Sequence, residues 1–307
     1  MSYTTNKSYH VGSAGFTLIE LMISLVLGLL ISAAVIQVYI INMRTATVQQ
    51  SASEVQDSSI FAMQAIEDNV RIANLGNPIT SINSTTKNGG IVLTTTNLGS
   101  ANTTEAKFLT TNNTGLSNIN NIASDQLTIQ YKNITQNSLF DCEGTEVLAS
   151  SNDWVVERYF IRATDSSSTT GVRSLSLACD AGRIDNTGVV TTPFSGNGQI
   201  IVEAVDQFKI LLGIQTDAKN LTYITVDAYL QLSDKPPITT IKTGVIIRSN
   251  TPLANETDKS TFVVLGTEQT LKTDTTRANY YRRSYESTVL LRNARVINFT
   301  ASAAPAA

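Results

Sequence analysis

Residues 16–41 read FTLIELMISLVLGLLISAAVIQVYII, a run of twenty-six residues whose only charge is Glu20. As an α-helix at about 1.5 Å per residue it spans about 39 Å, more than the ~30 Å hydrocarbon core of a bilayer. It follows a polar segment, residues 1–15 (MSYTTNKSYHVGSAG), in which Lys7 is the only fixed charge. A secretory signal has a shorter apolar core that ends in a small-x-small site. This run is too long and leads instead into Ile-Ile-Asn-Met-Arg at 40–44. A plain membrane anchor fits the length but leaves Glu20 unexplained, because a carboxylate within lipid is costly and usually functional.

The helix is expected to continue past the apolar run. Asn42 to Asn74 contains neither proline nor glycine. Val48, Ala52, Val55, Ser59, Ala62, Ile66 and Ala73 fall near one stripe at spacings of three and four, with Gln, Glu and Asp on the other faces. Asn74-Leu75-Gly76-Asn77-Pro78 is a stop signal, a glycine cap followed by proline. Residues 16–41 thus form a first, apolar half, and 42–76 carry the helix into a head. Gly28 is the soft point of the first half, and a break near Asn42 is the alternative.

Beyond Pro78 the chain is rich in Asn, Thr, Ser and Gly, with strands expected where β-branched and alternating residues recur. These are Ile91–Thr96, Gln126–Tyr131, Trp154–Arg162, Ser174–Cys179, Gln199–Ile210, Tyr223–Leu232, Gly244–Arg248 and Ser287–Phe299. Residues 77–300 therefore read as a mostly antiparallel β head laid against the second half of the helix, and 301–307 as a frayed tail. The fold class is α+β.

Composition narrows the function. The net charge of −3 does not mark a nucleic-acid binder, and charged residues make up 15% against about a quarter in ordinary soluble domains. His10 is the only histidine. Removal of the segment before Phe16 leaves none, which excludes Ser-His-Asp and Cys-His catalysis and a zinc site with histidine ligands. The chain is read as no enzyme, with no cofactor and no metal. Cys142 and Cys179 are the only cysteines. In an exported domain they are expected to form a disulfide, worth about 3–4 kcal/mol for a loop of roughly 37 residues; two buried thiols are the alternative.

The string Gly15-Phe16-Thr17-Leu18-Ile19-Glu20-Leu21 resembles the type IV prepilin signature. The resemblance implies a leader cut after Gly15 by prepilin peptidase, N-methylation of Phe16, and Glu20 as the docking glutamate that meets the N-terminal ammonium of a neighbouring subunit. Three further stretches resemble PilW-type minor pilins: Ile201–Gly213 (IVEAVDQFKILLG), Thr243–Ser249 (TGVIIRS) and Arg282–Asn293 (RRSYESTVLLRN). Residues 79–200 carry no such pattern.

The resemblance implies a minor pilin that primes pilus assembly in a tip complex and supports twitching, adhesion or DNA uptake. Its implied partners are other minor and major pilins, the inner-membrane assembly machinery and a tip adhesin. It implies a single-pass inner-membrane protein with a periplasmic head, and a place in the surface pilus after assembly. A J-type pseudopilin of type II secretion and a ligand- or DNA-binding adhesive pilin are the alternatives.

Weaker signals take ordinary readings. Asp180–Gly188 reads as a turn rather than a calcium loop, since it lacks EF-hand spacing. Arg277, Arg282, Arg283, Arg292 and Arg295, interleaved with Tyr280, Tyr281 and Tyr285, read as a solvated strand face rather than a nucleic-acid surface. Trp154 reads as core.

Overall fold

The computed structural model describes residues 15–99, 106–149, 151–164, 174–216, 220–253, 259–273 and 279–294. Residues 1–14 of the expected leader (1–15), the tail (301–307), Arg277 and Arg295 lie outside them. The chain forms two compact units, residues 1–49 and 50–307. Helix α1, Leu18–Ile72, contributes to both and runs without a break at Gly28 or Asn42. It starts where the Thr17 hydroxyl accepts the Glu20 amide at 3.3 Å, an N-cap contact.

In the first unit the apolar residues of α1 are exposed on every face from Leu18 to Ile41. This segment is long and apolar enough to cross a membrane. In the second unit α1 buries Ser51, Val55, Ser59, Ala62, Ile66 and Val70. Val48 and Ala52, placed on the stripe by sequence, are only half-buried, and Ser51 and Val70 take their places.

The head begins with β1 (Thr111–Gly115), β2 (Ser124–Tyr131) and a small hairpin of β3 (Leu139–Phe140) and β4 (Glu146–Val147). β5 (Trp154–Ala163), β6 (Leu175–Ile184), β7 (Val190–Thr192) and β8 (Gln199–Glu203) follow. These give an antiparallel sheet in the order β1-β2-β5-β6-β7, with β8 also on β6. A second sheet is built from β9 (Val205–Gln215), β10 (Leu221–Ile224), β11 (Ile238–Leu253) and β14 (Asn279–Leu290), in the order β10-β9-β11-β14. Between its strands lie a short helix, α2 (Val226–Gln231), and a hairpin of β12 (Thr261–Val264) and β13 (Thr267–Thr270). One core cluster joins the helix stripe to both sheets: Val55, Ile66 and Val70 share it with Tyr159 and Leu177 of the first and Phe208 and Val245 of the second. The α+β, pilin-like layout expected from sequence is thus present.

Asn74 fastens the helix end. Its φ is 67°, and its backbone amide donates to the Gln130 carbonyl at 3.0 Å. Its side-chain amide donates to the carbonyls of Ile79 and Asn293 at 3.0 and 3.1 Å, and its side-chain oxygen accepts the Gly90 amide at 2.9 Å. Gly90 has to be glycine here: a Cβ would lie 2.4 Å from the Asn74 nitrogen.

Several strand expectations need correction. Ile91–Thr96 is no strand; Ile91 makes one isolated bridge to Ile129, and Thr95–Leu98 is a 3-10 turn held by the Asn97 side chain. Tyr223–Leu232 splits into β10 and α2. Thr225 caps α2 by accepting the Ala228 amide, and Val226 and Tyr229 are buried at helical spacing, which overrides the alternation. Gln199–Ile210 breaks at Ala204, whose φ is 59°, so β8 and β9 join different sheets. Asp180–Ile184 continues β6, and only Asp185–Gly188 turns. The closing strand begins eight residues earlier than expected and stops at Leu290.

Candidate functional site

In the N-terminal unit the apolar run 16–41 carries one charged side chain, Glu20. Gly15, Phe16 and Glu20 are exposed, as are Leu18, Ile19, Leu21 and Met22 around them. Among the described residues nothing lies within 4 Å of a Cβ built on Gly15. Glu20 uses its backbone locally: its amide donates to Thr17, and its carbonyl accepts the Ser24 hydroxyl at 2.8 Å. No described residue binds its carboxylate, so nothing here assigns it a partner. A helix apolar on all faces has to be buried in lipid or among other helices, and Glu20 goes wherever that burial takes it.

The head carries the two cysteines. Cys142 and Cys179 form a disulfide with a Cα–Cα distance of 6.1 Å, which staples the loop between β3 and β4 to β6. Beside it lies Glu157, fully buried on β5. One carboxylate oxygen accepts the Tyr131 hydroxyl at 2.9 Å and the Cys142 amide at 3.2 Å, and the other accepts the Tyr159 hydroxyl at 2.6 Å. The Asn69 side chain of α1 in turn bonds the Tyr159 hydroxyl. One buried chain of hydrogen bonds therefore runs from the helix through β5 to the disulfide loop. No cation is in this chain, and loss of hydration pushes the Glu157 carboxyl up to about 7 despite the two tyrosine donors. Cys142, Cys179 and Glu157 bring possible metal ligands together, but the sulfurs are spent on each other.

The raised Glu157 carboxyl is expected to make the stability of the head depend on pH. A carboxyl with a folded pKa near 7 and an unfolded value of 4.5 stabilises the fold below the lower value, and the contribution is lost as pH rises through the higher. The expected loss between pH 5 and pH 8 is about 2–3 kcal/mol. The full chain in detergent should melt several degrees higher at pH 5 than at pH 8, and Glu157→Gln should flatten that difference. Parallel pH profiles for wild type and variant would show that Glu157 does not carry the effect.

Several other charges in the head are paired. Arg158 on β5 meets Asp180 on β6 at 2.8 Å and also bonds the carbonyls of Phe194 and Gly196. Asp125 on β2 pairs with Lys209 and accepts the Ile210 amide, tying the first sheet to β9. Asp206 on β9 holds Arg282 of β14 at 2.6 Å and Arg248 of β11 at 3.6 Å, and accepts the Asn118 amide at 2.5 Å. Arg282 is therefore a buried ion-pair member, which corrects its reading as part of a solvated face. Arg283 beside it is exposed, and Trp154 is half-buried at the edge of a core cluster. Sequence reasoning missed Glu157, Asp206 and Asp125. The available signal was a carboxylate set among apolar residues on strands buried on both faces, as in WVVERYFIR.

Comparisons with known families follow this division. Residues 12–36 match the family model for the prokaryotic N-terminal methylation motif. Residues 158–293 match the model for the type IV pilus-assembly protein W. The second match takes in all three C-terminal stretches singled out from sequence and also reaches β5 and β6, where sequence reading found no pattern. No curated protein and no solved structure matches the chain.

Proposed function

The chain is a minor pilin of the PilW family, a membrane-anchored type IV pilus component, and from that premise we propose that it primes filament assembly within a minor-pilin complex at the pilus tip. The exposed apolar half of α1, interrupted by one carboxylate, carries this reading. Such a helix is stable in a bilayer, and its alternative environment is a bundle of like helices. In the proposed sequence, prepilin peptidase cuts after Gly15 and Phe16 is N-methylated. The helix then holds the chain in the inner membrane with the head in the periplasm, until it is drawn out to pack beside other pilin helices. Glu20 sets the axial register by pairing with the ammonium of a neighbour. The head supplies the specific contacts, its frame held by the disulfide and the buried ion pairs.

Processing gives the first test. Mass analysis of the N-terminus should find methylated Phe16 and no leader. Replacement of Gly15 by tryptophan should block cutting almost completely, while Gly15→Ala is cut. Because no described atom lies near a Gly15 Cβ, a defect in the bulky variant reports on the peptidase and not on folding of this chain. An intact leader on filament-associated protein would refute the processing step. Recovery of the chain with secretion pseudopilins in place of pilus subunits would move it to the other filament system.

A further inference from the structure

The strands at the outer edges of the two sheets are unequal. β1, β7, β8 and β10 have 5, 3, 5 and 4 residues, whereas β14 has 12. Short edge strands are one way proteins avoid unwanted pairing, and β14 lacks that protection. It is bonded to β11 on one side, and among the described residues no strand pairs with its other side. About half of its backbone amides and carbonyls therefore point outward. The β12–β13 hairpin packs against this part of the sheet, its Leu265 amide donating to Glu286 of β14 at 2.6 Å. It lies over the face of the sheet that carries Gly244 and Ile246.

Beside that edge runs a groove of about 520 Å³ between β14 and α1, lined by Gln56, Ile60, Gln64, Arg283 and Tyr285 among others. Two features give it a chemical preference. Ile60 and its neighbour Phe61 are 56% and 60% exposed, although the residues around them on the outer helix face are polar. Arg283 has no hydrogen-bond or ion-pair partner among the described residues, while the other charges of the groove are engaged. Glu67 binds Arg71 and the Ser287 hydroxyl, and Glu286 binds Lys242 at 2.9 Å and the Leu265 amide at 2.6 Å.

We propose that this edge and groove dock an extended segment of another pilin-type subunit, which adds to the second sheet as a strand beyond β14. Main-chain hydrogen bonds to β14 supply affinity, an apolar side chain of the incoming strand covers Ile60, and a carboxylate on it meets Arg283. Arg283 also rejects strands that lack an acidic residue, which turns an open edge into a selective one. A second copy of this chain is a poorer occupant, because Glu286, the only carboxylate of β14, is already bound. The inference rests on the minor-pilin reading and specifies the surface that reading leaves open.

The test uses full-length protein in cells that assemble the pilus, with a photo-crosslinking residue at Gln64 and, separately, at Leu221 on the β10 edge. The Gln64 probe should give an adduct with a different chain that carries a prepilin-type N-terminus. Arg283→Glu should reduce that adduct about five-fold or more, and Arg283→Lys should restore most of it. Among the described residues Arg283 has no partner to lose, so both variants should melt with wild type; Ile60→Asp offers a second, independent disruption of the groove. Adducts only with lipid or with a second copy, no adduct, or adducts insensitive to Arg283→Glu and Ile60→Asp would overturn the proposal. Pilin adducts from Leu221 with none from Gln64 would reject this surface and leave the minor-pilin reading intact. Pilin adducts from neither position, together with no co-isolation of other pilins, would count against both.

Discussion

Asp206→Ala should cost the head about 3–5 kcal/mol, the range for removing one partner of a buried charge cluster. Arg248 and Arg282 face each other directly across the β11–β14 ladder, a placement that is unfavourable for like charges. Both are buried, and both reach Asp206 on β9. Tyr280 lies against the two guanidinium groups, at 4.6 and 5.7 Å from its ring centre, but offers no negative charge. Removal of Asp206 takes its carboxylate away from two buried cations in a water-poor site and costs the Asn118 amide its bond to the Asp206 side chain. For a head of this size the melting temperature should fall by about 10 °C, as read from Trp154 fluorescence of the detergent-solubilised full chain. Asp206→Asn keeps an acceptor but not the charge, and should fall between wild type and alanine. A loss under about 1 kcal/mol for the alanine variant would mean that water reaches the arginines and that the cluster does not hold the sheet together.

Where side-chain pattern and local physics agree, this fold can be read from sequence. α1 is legible from end to end because one apolar run, a stripe at helical spacing and an Asn-Leu-Gly-Asn-Pro stop all point to the same element. β2 and β5 are legible for a similar reason, since β-branched and aromatic residues recur through both. Legibility fails where a short-range device outcompetes the pattern. The Thr225 cap turns an alternating segment into α2, and the left-handed backbone of Ala204 divides one apparent strand between two sheets. It fails again for buried charge. Arg282 and Arg283 are neighbours of the same residue type, yet one is sealed against Asp206 and the other is exposed, because successive side chains on a strand point to opposite faces. Which face is sealed depends on Asp206, some 76 residues earlier in the chain. Spacing alone does not bring Cys142 and Cys179 together; the β5–β6 register sets Cys179 opposite Tyr159, and the Cys142 amide bonds Glu157 on the same strand.

Glu20→Gln should leave the chain inserted, processed and folded, and should lower pilus number and co-isolation of partner pilins about ten-fold or more. Two roles for Glu20 compete, and glutamine separates them. The Thr17 hydroxyl caps the Glu20 amide, so Thr17 and Glu20 hold the first and last places of a capping-box pattern. There glutamine serves as well as glutamate, and the effect on the helix start is small. As a docking group, however, Glu20 acts through its charge. Within α1 the nearest basic side chain is Arg44, 24 residues on by sequence, or about 36 Å along the axis. A compensating charge must therefore come from solvent at the membrane surface or from another chain. In a bundle of apolar helices the carboxylate would be desolvated, and an opposing ammonium would then be worth several-fold more than it is in water. Loss of one member leaves the other buried and unpaired, a penalty of about 2 kcal/mol or more, which corresponds to about thirty-fold in affinity. Pili are to be counted by electron microscopy, and partner pilins quantified after mild solubilisation, at matched protein levels. Wild-type counts and recovery in Glu20→Gln cells would mean that the carboxylate does no more than finish the helix.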